Sequence, residues 1–372
     1  MRILYVTTIG RTTRFFEQFI RELIAAGHQV DFAANEEGSA VPEVYREIGC
    51  QVFHAAFSRS PLSSDNLKAI KSVRKIVSDG NYDIVHCHTP VASLVTRLAC
   101  RKLRKKTGLK VFYTAHGFHF YKGVPFKNWM IYFPLEWLCS FYTDTLITIN
   151  KEDYDRAQKR LHAKRTAYVP GVGIDVERFA GAKVDRAAKR AELGIPEDAF
   201  LLISVGELNR NKNHEIVIRA LAKLRRPDIH YMIAGKGPQE EHLRSLANES
   251  GIGDNFHLLG YRHDIPELYK TADADVFPSI REGLGLAALE GMAAGLPLIC
   301  SDNRGTREYA LSYNVSGFDP MSRDENMFAA SIENLADHRE LCEELSRQGQ
   351  TIAEKFSVKK VNIIMYRDIY GI

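Results

Sequence analysis

Residues Ala274–Cys300 read ADVFPSIREGLGLAALEGMAAGLPLIC, and this stretch decides the fold. An apolar run, Ala274–Phe277, is short enough for a buried strand. Pro278 and Ser279 end it, and a Gly-rich turn, Arg281–Gly285, follows. Residues Ala287–Ala294 then carry strong helix formers until Gly295 and Pro297 stop them, and Pro297–Cys300 is again apolar. Strand, glycine turn, helix and strand make one βαβ crossover, which implies a parallel sheet with helices on its faces.

The same alternation extends in both directions. Upstream, the strand candidates are Ile3–Val6, Val30–Ala33, Ile84–Val85, Lys110–Tyr113 and Leu146–Ile149, with amphipathic stretches such as Arg14–Ala26 and Leu67–Ser78 between them. A second series holds Phe200–Val205, His230–Ala234, Phe256–Leu259, Ala274–Phe277 and Pro297–Cys300. The Gly- and Pro-containing segment Val169–Phe179, VPGVGIDVERF, separates the series. The expected fold class is therefore α/β, with two Rossmann-like doubly wound domains facing across a cleft. The expected division is 1–172 and 173–357, with the amphipathic Val358–Tyr370 and the rest of 358–372 packing back on the first domain. In such sheets ligands sit beyond the carboxyl ends of the strands.

The bulk numbers exclude several classes. The 372 residues carry 26% charged and 45% hydrophobic side chains and a net charge of +4, too small a surplus to point to nucleic acid. No apolar run is long enough to cross a bilayer, and the N-terminus lacks the build of a signal peptide. The six cysteines, Cys50, Cys87, Cys100, Cys139, Cys300 and Cys342, form no CxxC pair, so free thiols in the cytoplasm are expected.

Four motifs carry chemistry. In the quoted stretch, amides at the helix start suit phosphate oxygens, and Gly283 and Gly285 permit close backbone approach. Glu282 and Glu290, eight positions apart, supply one carboxylate for sugar hydroxyls and another for a ribose. The second motif, Val205–Asn213 (VGELNRNKN), follows a strand and offers Arg210 and Lys212 to neutralise a departing diphosphate. The third, Tyr113–Gly117 (YTAHG), places His116 at a strand end, with His119 competing for its role. His86 and His88 have a metal-ligand spacing but no third ligand in a matching context. The fourth, Ile233–Pro238 (IAGKGP), is a tight turn at Gly235 or a nucleotide contact. The dinucleotide fingerprint is absent there and after Gly10, which argues against nicotinamide and flavin enzymes. Finally, RKLRKK at 101–106 and the aromatic stretch Phe118–Tyr142, with Trp129, Trp137, Lys122 and Lys127, combine features suited to a membrane interface with anionic lipids or to a charged face over an aromatic core.

With these motifs the chain resembles the family-four retaining glycosyltransferases of GT-B fold. The resemblance spans nearly the whole length through EGLGLAALEGMAAGLPLI, SVGELNRNKN, AGKGP and VPGVGIDVERF. TAHGFHFYKGVP and ITINKEDY resemble a bacterial subgroup that builds capsular and exopolysaccharide units on a lipid carrier. The resemblance implies metal-independent transfer of a sugar from a nucleotide-diphosphate donor, with uracil the favoured base, to a polyprenyl-diphosphate-linked saccharide at the inner membrane face. No cofactor is implied. It assigns Glu282 and Gly283, Leu284, Gly285 and Leu286 to the donor sugar and diphosphate, and Glu290 to the ribose. Lys212 falls to the diphosphate, His116 to the donor sugar, and Tyr261 and Arg262 to the base. Gly10, Gly206 and Gly235 fall in its donor loops. Two positions depart from the family. Glu207 stands where an arginine is usual, with Arg210 as a substitute charge, and Thr7–Gly10 lacks the paired glycines. A sugar-nucleotide epimerase on this fold and a non-catalytic nucleotide-sugar-binding subunit are the rivals. Transfer, isomerisation, or binding without turnover would separate the three.

Overall fold

The computed structural model describes every residue except 38, 122, 317 and 318, so Lys122 of the basic–aromatic stretch lies outside the described residues. The chain divides into two compact units, Met1–Val172 with Val361–Ile372, and Gly173–Lys360.

The first unit is built on seven strands: β1 (Arg2–Ile9), β2 (Gln29–Asn35), β3 (Val52–His54), β4 (Ile84–His88), β5 (Lys110–Ala115), β6 (Thr145–Thr148) and β7 (Arg165–Tyr168). They lie in the order β3-β2-β1-β4-β5-β6-β7, and every pairing is parallel. β1 shows why the strands read as unbroken apolar runs. Leu4 and Val6 join one buried cluster and Ile3 and Tyr5 another, so both faces of the sheet are covered. Val361, Ile369 and Tyr370 from the chain's end complete the second cluster. The amphipathic C-terminal stretch is not one uniform helix. It runs as an α-helix over Val358–Ile364 and widens to a π-turn over Met365–Tyr370, which carries Tyr370 into hydrogen bonding with Tyr5 (2.8 Å) and His86 (2.6 Å).

The second unit has six strands: β8 (Phe200–Val205), β9 (Ile229–Ala234), β10 (Phe256–Leu258), β11 (Ala274–Phe277), β12 (Leu298–Ser301) and β13 (Met321–Ser322). Their order is β10-β9-β8-β11-β12-β13, again all parallel. Chain direction across the sheet reverses between β8 and β11. In sheets of this kind the carboxyl ends of the strands at such a reversal are where ligands sit. The Lys212 loop leaves β8, and the Glu282 turn leaves β11.

Gly235, after β9, is explained by packing. A Cβ there would lie 1.8 Å from the Gly206 carbonyl oxygen, so the loops after β8 and β9 touch backbone to backbone. Gly235→Ala is expected to cost about 1–3 kcal/mol, as overpacking does where neither wall is a flexible side chain. A thermal midpoint unchanged from wild type would disprove this account of the glycine.

Candidate donor site and the histidine cluster

Three contacts stitch the two loops of the second unit together. The Ile280 amide donates to the Asn211 carbonyl (2.8 Å), and the Asn211 side-chain amide donates to the Arg281 carbonyl (2.9 Å). Lys212 Nζ donates to Glu282 Oε1 at 2.8 Å. Lys212 is aimed by its own loop, because its amide donates to Asn209 Oδ1 (3.0 Å) and its ammonium lies 4.9 Å from the Phe277 ring centroid. The lysine and the carboxylate have side-chain exposures of 20% and 18%, so water and a solute can still reach both.

The helix after the turn spans Leu286–Ala294, one residue longer than the sequence pattern suggests. Gly285 caps it at φ +92°, a left-handed conformation that a Cβ would strain, and its carbonyl accepts from the buried Tyr309 hydroxyl. Among the described residues, the amides of Leu284, Gly285 and Leu286 have no acceptor. At a helix start such amides carry partial positive charge. Gly295, at φ +92°, ends the helix.

Glu290 sits about one turn into this helix. Burial pushes its carboxyl up to about 7, with Arg178 pulling the other way. Arg178 comes from the linker helix Val176–Ala180, which packs on the helix Leu286–Ala294 and is N-capped by Asp175. Below lies Asp275 of β11, wholly buried, its carboxyl held well above the usual range by burial and by Glu290. Its Oδ2 has no hydrogen-bond partner, and Gly291 is what leaves room for it, since a Cβ there would come within 2.3 Å.

Sequence reading missed the loop after β12. Asn303 donates to the Ser279 carbonyl (2.9 Å), the buried Arg304 donates from Nε to the Glu282 carbonyl (3.3 Å), and Gly305 packs against the Glu282 backbone. These residues hold the Glu282 turn in place. A loop following a strand of the same sheet was the available signal, but DNRG has no periodicity to single it out.

Four candidate residues have contacts other than the expected ones. Arg210, the expected substitute for the charge missing at Glu207, makes no contact with the Lys212–Glu282 pair among the described residues. It is exposed and lines a separate hollow with Asn213, His242 and Ile280 that includes neither Lys212 nor Glu282. Arg262 spends its guanidinium on Asp264 in a two-pronged ion pair (2.8 and 2.6 Å) and reaches Glu192, so the backbone at Tyr261–Arg262 and the exposed Tyr261 ring are left for a base. Gly10 gives its amide to the Ser39 carbonyl (2.9 Å), and a Cβ there would meet Val41 N at 2.3 Å. Its smallness serves the close passage of the 39–41 segment, and its amide is not open to a donor. The Gly206 amide likewise bonds the Ala234 carbonyl (3.1 Å).

In the first unit, His116 follows β5 and shares a 3.2 Å hydrogen bond between its Nε2 and His88 Nδ1. His86 is satisfied at both nitrogens, by Tyr370 (2.6 Å) and by Thr114 (2.7 Å), which removes it from any metal set. Burial pushes His86 down to about 3 and His116 to about 4, and burial with the two neighbouring histidines holds His88 well below the usual imidazole range. All three are neutral imidazoles near pH 7, and His116 keeps Nδ1 for another partner. His119 instead stacks on Tyr132 (4.6 Å). Among the described residues, no group of three or more His, Cys, Asp or Glu is placed to hold a metal ion.

Comparison with known proteins agrees with this geometry. Residues 12–178 match the family model Glycosyltransferase Family 4, and residues 185–352 match Glycosyl transferases group 1. Over 375 aligned residues the chain is 40% identical to a "Putative glycosyltransferase EpsD" of Bacillus subtilis (strain 168), covering 100% of this chain and 96% of that one. It is 28% identical to the UDP-Gal:alpha-D-GlcNAc-diphosphoundecaprenol alpha-1,3-galactosyltransferase of Escherichia coli, over 82% of this chain and 79% of the other. Among solved structures, Anabaena Alr3699/HepE in complex with UDP and glucose superposes with a TM-score of 0.80 at 19% identity, each chain fully covered. WaaG, a glycosyltransferase involved in lipopolysaccharide biosynthesis, superposes at 0.74 with 19% identity, over 99% of this chain and 100% of that one. A glycine turn between β11 and its helix, clamped by a lysine from the β8 loop, is thus found in a chain that belongs to the family-four glycosyltransferases of GT-B fold.

Proposed function

We propose that the chain transfers a sugar from a uridine-diphosphate donor, with retention of configuration and without a metal, to a hydroxyl of a lipid-linked saccharide in capsule or exopolysaccharide assembly. The observation that carries this is the Lys212–Glu282 contact of 2.8 Å at the sheet's switch point, in the turn that leads to the unbonded helix-start amides of Leu284–Leu286. Lys212 is a compact charge of the kind that meets phosphate oxygens. When a diphosphate arrives, it takes over the ammonium, and Glu282 is released to accept from hydroxyls of the donor sugar. Glu290 receives the ribose diol, and the backbone at Tyr261–Arg262 receives the base. His116 offers its remaining nitrogen to the transferring sugar.

In the reaction, the bond from the anomeric carbon to the β-phosphate oxygen breaks as the acceptor oxygen bonds that carbon on the same face. The acceptor's proton passes to the departing phosphate oxygen. Negative charge grows on the phosphate, where Lys212 and the helix-start amides already stand, so stabilisation needs little reorganisation. No carboxylate nucleophile is required, unlike in the paired-acid hydrolases.

The UDP and lipid-linked parts of the reading draw support from the UDP-bound Anabaena structure and the Escherichia coli diphosphoundecaprenol galactosyltransferase, and the glycan class from TAHGFHFYKGVP. The test is incubation with a panel of UDP-sugars and a polyprenyl-diphosphate-linked acceptor, the product's anomeric configuration being read by NMR. Transfer with retention is expected. An inverted product, isomerised donor without transfer, or binding without turnover would each overturn the proposal.

A further inference from the structure

Fifteen large hydrophobic side chains are exposed among the described residues, and six of them fall between Phe126 and Phe141. They are Phe126, Met130, Ile131, Trp137, Leu138 and Phe141, with Phe126 75% and Met130 64% exposed. The helix Phe126–Ser140 turns two apolar faces outward and inward. Trp129, Tyr132 and Phe133 pack on the core of the first unit, while the six, joined by the exposed Pro134, recur at three- and four-residue spacing along the other side. A helix apolar all round is normally enclosed, and this one is not.

Basic side chains adjoin the stripe. Lys127 is its only charged residue, and the helix's one carboxylate, Glu136, is buried against Arg97 at 2.8 Å. At the far end, Arg104 Nη1 donates to the Phe141 carbonyl (3.2 Å), which ties the basic segment 101–106 to the stripe. Arg101, Lys102, Lys105, Lys106 and Lys127 are exposed and have no ion-pair partner among the described residues. Phe141 stacks on His162 beside that end and Trp137 meets both edge-on, giving amphipathic rings of the kind that settle at a lipid–water boundary.

We infer that the outer face of helix Phe126–Ser140 docks on an anionic lipid bilayer, the helix lying flat with Phe126, Met130, Ile131, Trp137, Leu138 and Phe141 among the acyl chains and residues 101–106 at the headgroups. A helix of fifteen residues is about 22 Å long, too short to span the hydrocarbon, and its inner face is occupied by the core. An apolar stripe framed by unpaired cations complements negative headgroups over an apolar interior. The inference stands apart from the transfer reaction, since it concerns a surface that neither Lys212 nor Glu282 shares.

The test is co-sedimentation of the full chain with vesicles of phosphatidylcholine, alone or mixed with phosphatidylglycerol. Wild type is expected to pellet with the mixed vesicles and to shift its tryptophan emission to the blue. Trp137→Phe should lose most of that shift while still binding. Met130→Glu/Leu138→Glu should bind at least ~10-fold more weakly, and Lys105→Glu/Lys106→Glu should lose the preference for phosphatidylglycerol. Thermal melts of the variants should match wild type, because every altered side chain is exposed. Their turnover of a water-soluble acceptor should also match, which keeps this result separate from the proposed reaction. Wild type remaining in the supernatant with both vesicles would overturn the inference. So would a wild-type dimer that Met130→Glu/Leu138→Glu dissociates, with no vesicle binding, since a second copy would then cover the stripe.

Discussion

Lys212→Ala is expected to lower the rate of sugar transfer by about 10²–10³-fold while leaving the fold intact. The loss should fall mainly on kcat. In the unliganded protein the ammonium serves only to neutralise Glu282 at 2.8 Å, in a pair that solvent still reaches, and such pairs add at most about 1 kcal/mol to stability. The stitching of the two loops does not depend on it, because Asn211 and Ile280 bond through backbone and amide groups. Removing the lysine therefore leaves the site assembled and takes away the charge that meets the phosphate as its bond to the sugar breaks. Lys212→Arg keeps the charge on a longer, planar head and should retain part of the rate. Glu282→Ala should abolish most transfer as well. The double variant should be little worse than either single one, since the two residues act as a unit. A thermal midpoint near wild type, with turnover lost, is the expected pairing of results. Wild-type turnover in Lys212→Ala would remove the lysine from the chemistry altogether.

How far this site was legible from residues alone depended on where its parts lie in the chain. β8 and β11 matched their apolar runs at both ends, because each is buried on two faces and flanked by turn residues. Lys212 and Glu282 sit in contiguous motifs beside those strands, so their meeting followed from the sheet's order. Of the four edge strands, only β10 showed. β3 and β7 are mostly half-buried or exposed, and β13 has two residues, so none presents an apolar run. Arg14–Ala26 suggested one helix, yet the helix begins at Glu17 behind a 3-10 turn over Gly10–Phe16. That turn is held by the Thr12 and Thr13 hydroxyls donating to the carbonyls of Ile9 and Gly10. Arg304 could not be found because its partner is a backbone carbonyl 22 positions away. Arg210 was overvalued for the opposite reason. It lies two residues from Lys212 in the motif, but the loop turns between them and gives it to another hollow.

Glu290→Gln is expected to raise stability at pH 8 and to weaken donor binding, two effects of one buried carboxylate. Burial in the folded chain pushes this group from 4.5 up to about 7, so the native state holds its proton more tightly than the unfolded chain does. The resulting stabilisation is fully present below about pH 4.5 and is lost as pH rises through about 7. At pH 8 the native protein carries an ionised carboxylate above Asp275, at a cost on the order of 1–3 kcal/mol after allowing for partial solvent screening. Glutamine has nothing to ionise. The variant's thermal midpoint should exceed that of wild type at pH 8, meet it near pH 5, and vary less between them. Donor affinity should move the other way. A carboxylate accepting from both hydroxyls of a ribose makes charge-assisted bonds that an amide cannot match, so affinity should fall roughly 10–100-fold in Glu290→Gln. In wild type it should tighten as pH rises through about 7, where the carboxylate forms. Calorimetric titration with UDP at pH 6 and pH 8 reads this directly. Equal affinity at both, or a variant that binds UDP as wild type does, would place the ribose elsewhere. The opposed signs explain why a destabilising acid persists at this position: its ionised form is poorly solvated by the protein until a diol arrives to solvate it.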